Sequence, residues 1–558
     1  MTDAPNTKEP LRIGLLLNSF MVEAWVRRIV EEIQSSSFAT VVLVVMNDCE
    51  AESTKLADRW ARSRHQILYG LYTKFDNRFA QVTPNAFELV DISDLCAGVP
   101  VIKVKPIMKK FSDRLEDKDV DEILDHKLDV ALRFGFRILR GRVLETAKHG
   151  VWSYHHDDSL RYKGGPPGFW EVMQDDPVTG SMLQVLTEDL DNGQVLYRSW
   201  APTLNRFSVR KNNNNYYWKT AAFIGRKLKE LHRDKRIRLA DECQDTVPCP
   251  YNAQLYKVPR NRMMLRLLWD LGKRMLKRGV EKLTYTETWS LAFHFKNDKD
   301  HDEVLHRFTK LLPPAGHFWA DPFPVKVDGR FFVFFEDFVY RDDKAVIAMI
   351  ELRKDGSFEK PVTVLERDYH LSYPFLFEWN DTLYMIPESG ANNTVELYRC
   401  KSLPGEWEQE KVLLTANNPS DATLIEFDGK WWMFVNIQEP NVTVNWEELH
   451  IYYADSPLGP WTAHAKNPVR SDVRNARPAG RMFMQNGQLI RPAQDCSRRY
   501  GYATALNCIR RLSPCEFVED EVARIAPEWD RSIIGTHTLN RAEELTVIDY
   551  LVRRRRFF

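Results

Sequence analysis

The sequence predicts two domains of different fold class: a doubly wound α/β domain with a parallel sheet, followed by an all-β five-bladed propeller. Strand-length apolar runs alternate with amphipathic helical segments in the first third of the chain, which indicates the α/β class. A strand–turn–strand pattern recurs after residue 310 at intervals of about fifty residues, which indicates a repeat fold. At 558 residues the chain is too long for one hydrophobic core, so a division into domains is expected.

The α/β prediction rests on buried strands and the helices between them. Residues 40–46, TVVLVVM, form a β-branched run of the kind that is buried on both faces of a parallel sheet. The loop after the first strand, residues 17–20, lacks the glycines of a phosphate-binding turn, so no nucleotide is expected there. The predicted strands cover residues 11–17, 40–46, 99–104 and 128–133, and the predicted helices cover residues 22–34 and 119–126.

Ionisable and aromatic side chains concentrate in residues 149–197, after the last of these strands. The segment contains the run His155-His156-Asp157-Asp158 and a Gly-Gly-Pro-Pro turn. Buried charges cost free energy unless they are paired, so this mixture predicts a functional site rather than a plain core strand. A Zn²⁺ site formed by His155, His156 and Asp157 is disfavoured because adjacent strand residues point to opposite faces, and no metal site is predicted.

Several short motifs follow one another in this region. They are LDVALRFGFRIL at residues 128–139, His149-Gly150, Ser153-x-His155, Lys163-Gly164, Thr179-Gly180 and Asp191-x-Gly193. In order and spacing, residues 10–205 resemble the formyltransferases that use 10-formyltetrahydrofolate. The resemblance implies 10-formyltetrahydrofolate as the formyl donor and an amine as the acceptor.

The same resemblance implies roles for individual residues. His155 and Asp191 match the family's catalytic histidine and aspartate, whereas Ser153 stands where the family has a catalytic asparagine. A backbone wall that holds the pterin ring is implied for Phe134, Gly135, Phe136, Arg137, Ile138 and Leu139. For His156 and Asp157 we expect either substrate contact or a structural role.

Formyl transfer to an amine explains why these residue types are needed. Attack on the formyl carbon produces an oxyanion and an ammonium group, so the site needs a hydrogen-bond donor and a base. We expect His155 to act as the donor or acid, and Asp191 to orient it or collect the proton. The Ser153 hydroxyl can still be offered to the oxyanion, but it is shorter than an amide and places its donor differently. A core His–Asp pair without catalysis is the alternative.

A connecting segment separates the two predicted domains. The α/β domain is predicted over residues 10–240, the linker over 241–284 and the propeller over 285–558. Before the linker, residues 210–217 are interpreted as a polar loop that precedes a helix. Within it, residues 263–278 are interpreted as a helix with basic residues on one face, a solvated spacer rather than a membrane helix.

The second half contains an internal repeat. Four copies begin at Asp321, Tyr373, Asp421 and Ala479, and each has two strand-like runs that flank a hairpin turn. A fifth copy is expected around residues 535–549, and the strand of residues 288–295 is expected to close the ring. A propeller of five blades follows from this count.

This half also resembles a known group. Its matching motifs are Trp319-Ala-Asp-Pro-Phe323, His370-Leu-Ser-Tyr-Pro374, Pro387-Glu-Ser389, Ser456-Pro-Leu-Gly-Pro-Trp461 and Arg491-Pro-Ala-Gln-Asp495. Residues 285–558 are similar to the N-terminal propeller of the plant glucosamine inositolphosphorylceramide transferases and, more distantly, to five-bladed glycoside-hydrolase propellers. The resemblance implies a carbohydrate setting. We expect Asp321, Tyr373, Glu388 and Asp421 to bind a carbohydrate near a central funnel, while hydrolysis by two such carboxylates is the less favoured alternative.

Composition limits location and partners. With 78 basic and 78 acidic residues, the chain has no overall field that favours nucleic acid. The apolar run of residues 13–17 is too short for a signal peptide, and no stretch is long enough to span a bilayer, so a cytoplasmic protein is expected. The eight cysteines show no metal or redox spacing. Residues 553–556, four arginines, are expected to be a solvated tail, with contact to anionic lipid as the alternative.

These observations together predict a formyltransferase. Its acceptor is expected to be an amino-sugar or another glycan substrate in glycan or glycolipid biosynthesis, held by the propeller. A non-catalytic glycan-binding scaffold with a decayed transferase site is the first alternative, because Ser153 replaces the family asparagine. A propeller glycoside hydrolase is the second.

Overall fold

The computed structural model describes residues 9–49, 64–109, 112–157, 161–188, 193–204, 206–240, 255–296, 304–403 and 405–556. The chain forms two compact units, Met1–Lys273 and Arg274–Phe558. The boundary between them falls inside a long helix, Asn261–Thr284. No helix in these ranges is long and apolar enough to cross a membrane.

Strands and helices alternate through the first unit. Its strands are β1 Leu11–Leu17, β2 Met21–Glu23, β3 Ala39–Asn47, β4 Leu89–Asp91, β5 Val101–Val104, β6 Ile107–Met108, β7 Ser112–Arg114, β8 Val130–Arg133, β9 Ile138–Leu139, β10 Val151–His155, β11 Val178–Val185 and β12 Gln194–Pro202. Its helices are α1 Ala24–Ser35, α2 Ile67–Phe79, α3 Asp117–Asp125, α4 Phe169–Gln174 and α5 Val209–Asp234, and α6 Asn261–Thr284 begins in it. The strands and helices predicted within residues 11–133 are all present.

A seven-stranded sheet forms the centre of this unit. Its strand order is β12-β11-β10-β8-β1-β3-β5. Strands β10, β8, β1, β3 and β5 run parallel to one another, whereas β11 pairs antiparallel with both β10 and β12. The central strands β1 and β3 are largely buried, which explains their continuous apolar sequences. The carboxyl ends of β1, β8 and β10 meet at one edge, where open α/β sheets bind their ligands.

Helix α5 corrects one prediction. Residues 210–217, RKNNNNYY, are its first two turns and not a polar loop, and the Ser208 hydroxyl caps the helix. The asparagines are bonded inside the protein: Asn214 Nδ2 donates to Pro84 O at 3.0 Å, and Asn214 Oδ1 accepts from Ala86 N at 2.8 Å. These tertiary hydrogen bonds outweigh the low helix propensity of asparagine.

The second unit is built mainly from antiparallel strands. They are β13 Tyr285–Phe295, β14 Thr309–Leu311, β15 His317–Val327, β16 Arg330–Val339, β17 Lys344–Leu352, β18 Val362–Leu365, β19 Ser372–Trp379, β20 Thr382–Ser389, β21 Thr394–Ser402, β22 Glu406–Thr415, β23 Ser420–Phe427, β24 Lys430–Asn436, β25 Glu448–Ala454, β26 Thr462–Ala463, β27 Arg470–Ser471, β28 Phe483–Gln485, β29 Gln488–Asp495, β30 Ala503–Ser513, β31 Glu516–Ile525, β32 Ile533–Gly535, β33 Leu539–Ala542 and β34 Leu545–Arg555.

These strands form sheets of four or five strands each. Four sheets follow the chain in order, as β15 to β18, β19 to β22, β23 to β26 with β27, and β28 to β31. Another sheet joins β13 and β14 near the start of the unit to β32, β33 and β34 at its end. Its two long strands, β13 and β34, pair along their whole length. The arrangement of the sheets as five blades around one axis stays a prediction.

Three of the sheets share an irregularity in their first strand. The register shifts between Ala320 and Phe323 in β15, between Ser372 and Phe375 in β19, and between Ser420 and Thr423 in β23. At these bulges Asp321, Tyr373 and Asp421 have left-handed backbone conformations, with φ of 52°, 42° and 54°. A β-bulge redirects the side chain at its position. The repeat alignment of these three residues therefore corresponds to a real structural equivalence.

The arginines near the C-terminus belong to the last strand. In β34, Arg553 pairs with Glu287 of β13 in the antiparallel register. The Arg553 guanidinium lies 3.0 Å from the Glu287 carboxylate and 3.2 Å from that of Glu281. Residues 553–555 are therefore part of a strand that pairs with β13 and not a free tail, while Arg554 and Arg555 are exposed to solvent as expected.

Candidate functional site

Ser153 and His155 lie on β10 and point to the same side of the sheet, because they are two residues apart on one strand. Ser153 is buried and lies opposite Arg133 of β8 in the parallel register. His155 is half-buried at the carboxyl end of β10. Its predicted partner, Asp191, lies outside the described residues, so the His155–Asp191 pair stays a prediction.

Arg133 contacts Ser153 directly. Its Nε and Nη2 atoms donate to Ser153 Oγ at 2.9 and 2.8 Å, and its Nη1 donates to the carbonyl oxygens of Arg137 and Phe136 at 2.9 and 3.4 Å. Burial lowers the pKa of the Arg133 guanidinium and the charge of Asp113 opposes this, but an arginine stays protonated in a protein. Sequence reasoning missed Arg133, although an arginine directly after the apolar run of residues 130–132 is a visible signal.

The segment predicted to hold a pterin ring is fixed by its own packing. Asn18 Oδ1 accepts a hydrogen bond from Phe136 N at 2.9 Å, and a Cβ on Gly135 would lie 2.6 Å from Asn18 N, so only glycine fits there. Phe136 and Leu139 are buried in the hydrophobic core. Arg137 forms an ion pair with a buried aspartate. A ligand at residues 134–139 would therefore contact mainly the backbone of this segment. Arg133 connects the segment to Ser153, because it bonds both the Ser153 hydroxyl and the carbonyl groups of Phe136 and Arg137.

His156 and Asp157 are held by contacts inside the first unit. The ring of His156 stacks on Tyr217 with 3.9 Å between centroids, and its Nε2 lies 3.2 Å from Thr220 Oγ1. Burial lowers the pKa of His156 to about 3, so this imidazole is neutral at physiological pH. Asp157 is buried, and its Oδ1 accepts a hydrogen bond from Gly168 N at 2.8 Å. Of the two roles expected for these residues, the contacts support the structural one.

The second unit contains a cavity of about 660 Å³. Its wall includes the aromatic side chains of Trp289, Phe318, Trp446 and Tyr500 and the ionisable side chains of Glu336, His370, Glu388, Arg477 and His537. Carboxylates, cations and aromatic faces therefore meet in one concave site, which is the usual composition of a binding pocket for a small polar ligand.

Arg477 joins Glu388 and Asp421 in one network. Its Nη2 donates to Glu388 Oε2 at 2.8 Å and to Asp421 Oδ1 at 3.1 Å, and its Nε donates to Asp421 Oδ2. Gln494 Nε2 gives the Asp421 carboxylate a further donor at 2.8 Å. Burial raises the pKa of Asp421, and the positive charge of Arg477 opposes that rise. Glu388 lines the cavity, whereas Asp421 is buried.

Asp321, His537 and Asp549 form a second buried network. His537 Nδ1 lies 2.7 Å from Asp549 Oδ2, and His537 Nε2 lies 3.4 Å from Asp321 Oδ1. Burial lowers the pKa of His537, but the two carboxylates outweigh burial and raise it to about 9. Burial raises the pKa of Asp321 to about 7. One ligand atom from each of the three side chains lies within 4.8 Å of the others, which is close enough to hold a metal ion.

Glu336 and His370 form a third pair on the cavity wall. His370 Nε2 lies 3.2 Å from Glu336 Oε1. Burial alone would lower the pKa of His370, but the hydrogen bond and charge of Glu336, with Glu388 and Asp321 further away, raise it overall. Glu336 therefore faces His370 and Glu388 faces Arg477, and both carboxylates line the cavity.

Tyr373 does not line this cavity, although it is one of the four residues predicted to bind carbohydrate. Its side chain is fully buried; its hydroxyl accepts from Gly480 N at 2.7 Å and bonds Thr423 Oγ1 at 2.8 Å. Asp321 and Asp421 are buried as well, so Glu388 alone of the four is on the wall. Sequence reasoning missed the aromatic residues and Arg477, because they lie at positions that the repeat alignment does not mark.

Comparison with known proteins relates each half of the chain to a different group. Residues 311–542 match the family model described as glucosamine inositolphosphorylceramide transferase 1, N-terminal. The glucosamine inositolphosphorylceramide transferase 1 of Oryza sativa subsp. japonica is 38% identical over 207 residues, which is 36% of this chain and 28% of that protein. The chain thus spans little more than a quarter of the length of this relative.

The N-terminal half is similar to formyltransferases. A methionyl-tRNA formyltransferase of Prochlorococcus marinus subsp. pastoris is 23% identical over 222 residues, which is 39% of this chain and 56% of that protein. The solved structure of glycinamide ribonucleotide transformylase 1 from Symbiobacterium toebii aligns with 41% of this chain and 94% of its own, at 13% identity and a TM-score of 0.28.

Proposed function

We propose that the protein transfers a formyl group from 10-formyltetrahydrofolate to the amine of an amino-sugar, and that the cavity of the second unit binds the carbohydrate acceptor. The observation that carries the transfer step is the position of Ser153 and His155 on one side of β10, with Arg133 bonded to Ser153. The sequence similarity of this half to formyltransferases supports the reaction class. Asp191 completes the proposed set.

The residues of the first unit fit such a formyl donor. Arg133 has five N–H donors; four bond Ser153 and two carbonyl groups, which leaves one Nη2 hydrogen without a partner among the described residues. The bound folate supplies the formyl group. Arg133 and His155 stabilise the negative charge that develops on the formyl oxygen, and a guanidinium does so more strongly than a neutral amide. Asp191 receives the proton that the attacking amine loses, and it can return this proton to the folate nitrogen whose bond to the formyl carbon breaks.

The cavity supports the carbohydrate part of the proposal. Its aromatic side chains offer flat surfaces, and the carboxylates of Glu336 and Glu388 can accept hydrogen bonds from sugar hydroxyl or ammonium groups. The name of the plant relatives makes glucosamine-bearing glycolipids the first acceptors to test. A reducing compartment such as the cytoplasm is part of the proposal, since none of the six described cysteines forms a disulfide.

A transfer assay tests this function. The purified chain is incubated with 10-formyltetrahydrofolate and a panel of amino-sugars and glucosamine glycolipids, and the formylated product and tetrahydrofolate are measured together. We expect both products in equal amounts. Stabilisation by folate in a thermal-shift experiment, without product from any acceptor, would contradict turnover.

A non-catalytic glycan-binding protein is the second candidate. The observation that favours it is the replacement of the family asparagine by Ser153, whose hydroxyl already accepts two hydrogen bonds from Arg133. In that case the wild-type chain shows no transfer, carbohydrate binding persists, and Ser153→Asn restores some activity. Transfer by the wild type excludes this candidate.

A further inference from the structure

Helices α2 and α6 are neighbours in the first unit. Asn261, at the start of α6, bonds the residues around the start of α2: its Oδ1 accepts from Leu68 N at 3.1 Å, and its backbone N donates to His65 O at 2.7 Å. The inner faces of both helices pack into one hydrophobic cluster, which includes Met264 and Leu271 of α6. Each helix therefore has an inner face that the core already satisfies.

Their other faces expose large apolar side chains. These are Ile67, Leu71, Phe75 and Phe79 of α2 and Leu265 and Trp269 of α6, with 48 to 71% of each residue exposed. The four of α2 recur at every fourth residue and so follow one side of that helix. Folded chains rarely leave such residues in water as a group, and a cluster of this kind marks a surface that binds something.

Positive charge is concentrated in the same two segments of the chain. Residues 64–79 and 255–273 contain eight lysines and arginines: Arg64, Lys74, Arg78, Lys257, Arg260, Arg262, Arg266 and Lys273. They contain only two acids. Asp76 is buried and bonds Ser208 and Arg210, while Asp270 pairs with Lys273 at 2.7 Å. The chain as a whole is neutral, so this concentration of charge is local.

We propose that the exposed apolar side chains of α2 and α6 dock the protein on an anionic lipid bilayer. An apolar row flanked by lysine and arginine matches a surface that offers hydrocarbon and negative headgroups together. Trp269, whose large ring is the most exposed of the six, is a residue type that favours the water–lipid boundary. The helices lie on the membrane and do not cross it, because none of the described helices is long and apolar enough.

A protein partner is the weaker match to these observations. A protein partner would need an acidic surface that matches this one, arranged around an apolar centre. An anionic bilayer offers negative headgroups and hydrocarbon together, so it requires no partner with a particular sequence. The proposal does not depend on formyl transfer, although docking would bring a glycolipid acceptor close to the enzyme.

Vesicle co-sedimentation of the full chain tests the proposal. Binding is measured on phosphatidylcholine vesicles with and without phosphatidylserine, at low and high salt. We expect binding to the vesicles that contain phosphatidylserine, weakened by salt, and little binding to phosphatidylcholine alone. No binding to either, or equal salt-independent binding to both, would overturn the proposal.

Variants separate the contribution of apolar contact from that of positive charge. Trp269→Ser should weaken binding at least about tenfold, and Arg262→Gln with Arg266→Gln about 25-fold, since each charge near an anionic surface contributes roughly fivefold. The control variants Leu312→Ser and Arg341→Gln remove an exposed leucine and an exposed arginine of the second unit and should leave binding unchanged. Unfolding curves establish that every variant is folded.

Sedimentation velocity decides between lipid and a second copy of the chain. If Trp269→Ser changes the oligomeric state and leaves vesicle binding as in the wild type, the surface is an interface between copies and the lipid proposal is wrong. If vesicle binding falls and the oligomeric state stays the same, the proposal stands.

Discussion

The Arg133 guanidinium donates two hydrogen bonds to the Ser153 hydroxyl, at 2.9 and 2.8 Å. The two residues face each other on neighbouring parallel strands, β8 and β10, at the edge of the sheet where ligands bind. A cationic donor is thus built into the position at which the formyltransferase resemblance implies an asparagine amide. Ser153 and Arg133 therefore form one hydrogen-bonded pair, and a change in either should affect the other.

Replacement of Arg133 tests the pair. In Arg133→Lys the charge remains, but one ammonium group cannot reproduce the fork that binds Ser153 and two carbonyl groups. We expect the rate of formyl transfer to fall about 10²- to 10³-fold, the usual effect of losing an oxyanion donor, with folate affinity nearly unchanged. Arg142→Lys, an exposed arginine paired with Asp117 and Asp121, serves as the control. If Arg133→Lys transfers formyl groups as fast as Arg142→Lys, Arg133 has no part in the mechanism.

The two adjacent histidines should respond differently to substitution. His155→Ala should lower formyl transfer at least about 10²-fold, as expected for a lost acid–base group, without changing the unfolding curve. His156→Ala removes the stack on Tyr217, so we expect a loss of roughly 1–3 kcal/mol of stability. Its folded fraction should keep the wild-type rate. If His156→Ala lowered the rate and His155→Ala lowered only the stability, the roles assigned to the two histidines would be wrong.

Asp191→Ala provides a separate test of the proton acceptor. We expect a loss similar to that of His155→Ala and, if the two residues act as one unit, no further loss in the double variant. The rates of the single and double variants measure this. If the loss of rate in the double variant equals the product of the losses in the two single variants, Asp191 does not act through His155.

A charge change on the cavity wall tests acceptor binding. Glu388→Gln removes a carboxylate that lines the cavity and bonds Arg477, so we expect the KM for the acceptor to rise roughly 10-fold or more while kcat changes little. Glu378→Gln, at an exposed position on β19, is the matched control. An acceptor KM that stays constant in Glu388→Gln would place acceptor recognition outside the cavity.

Stability of the second unit should depend on pH through His537. Its pKa is raised from 6.5 to about 9 in the folded protein, so the pairing of its ring with the Asp549 carboxylate, 2.7 Å away, stabilises the fold fully below pH 6.5. This stabilisation is lost as pH rises through about 9, and amounts to about 3 kcal/mol at most. Thermal unfolding between pH 6 and 10 should show a falling Tm, and His537→Gln should flatten the curve. A Tm that is constant across this range in the wild type would contradict the assignment.

The sequence predicted the elements of the fold more completely than the site. Residues 11–17 and 40–46 form the expected strands because their mainly apolar side chains are buried on both faces of the parallel sheet. The helical state of residues 210–217 could not be predicted in the same way, since Asn214 is held by Pro84 and Ala86, more than a hundred residues earlier.

The contrast between local sequence pattern and distant contacts also separates the predicted site residues from those that only the structure reveals. Ser153 and His155 were predicted because they lie close together in the sequence and form a short motif. Arg477 and His537 were not, because they approach Glu388 and Asp321 only when distant segments come together. Tyr373 was placed in the binding site by its repeat position, but the fold buries its hydroxyl between Gly480 and Thr423.

The sequence alone determined the two fold classes and the positions of Asp321, Tyr373 and Asp421 in the repeat, because periodicity and local backbone preference are written in neighbouring residues. Only the tertiary structure decided that Arg133 binds Ser153 and that Glu388 faces the cavity while Asp421 is buried. The physical reason is that burial, ion pairing and pKa depend on which distant side chains exclude water from a group, and the chain order does not specify those contacts.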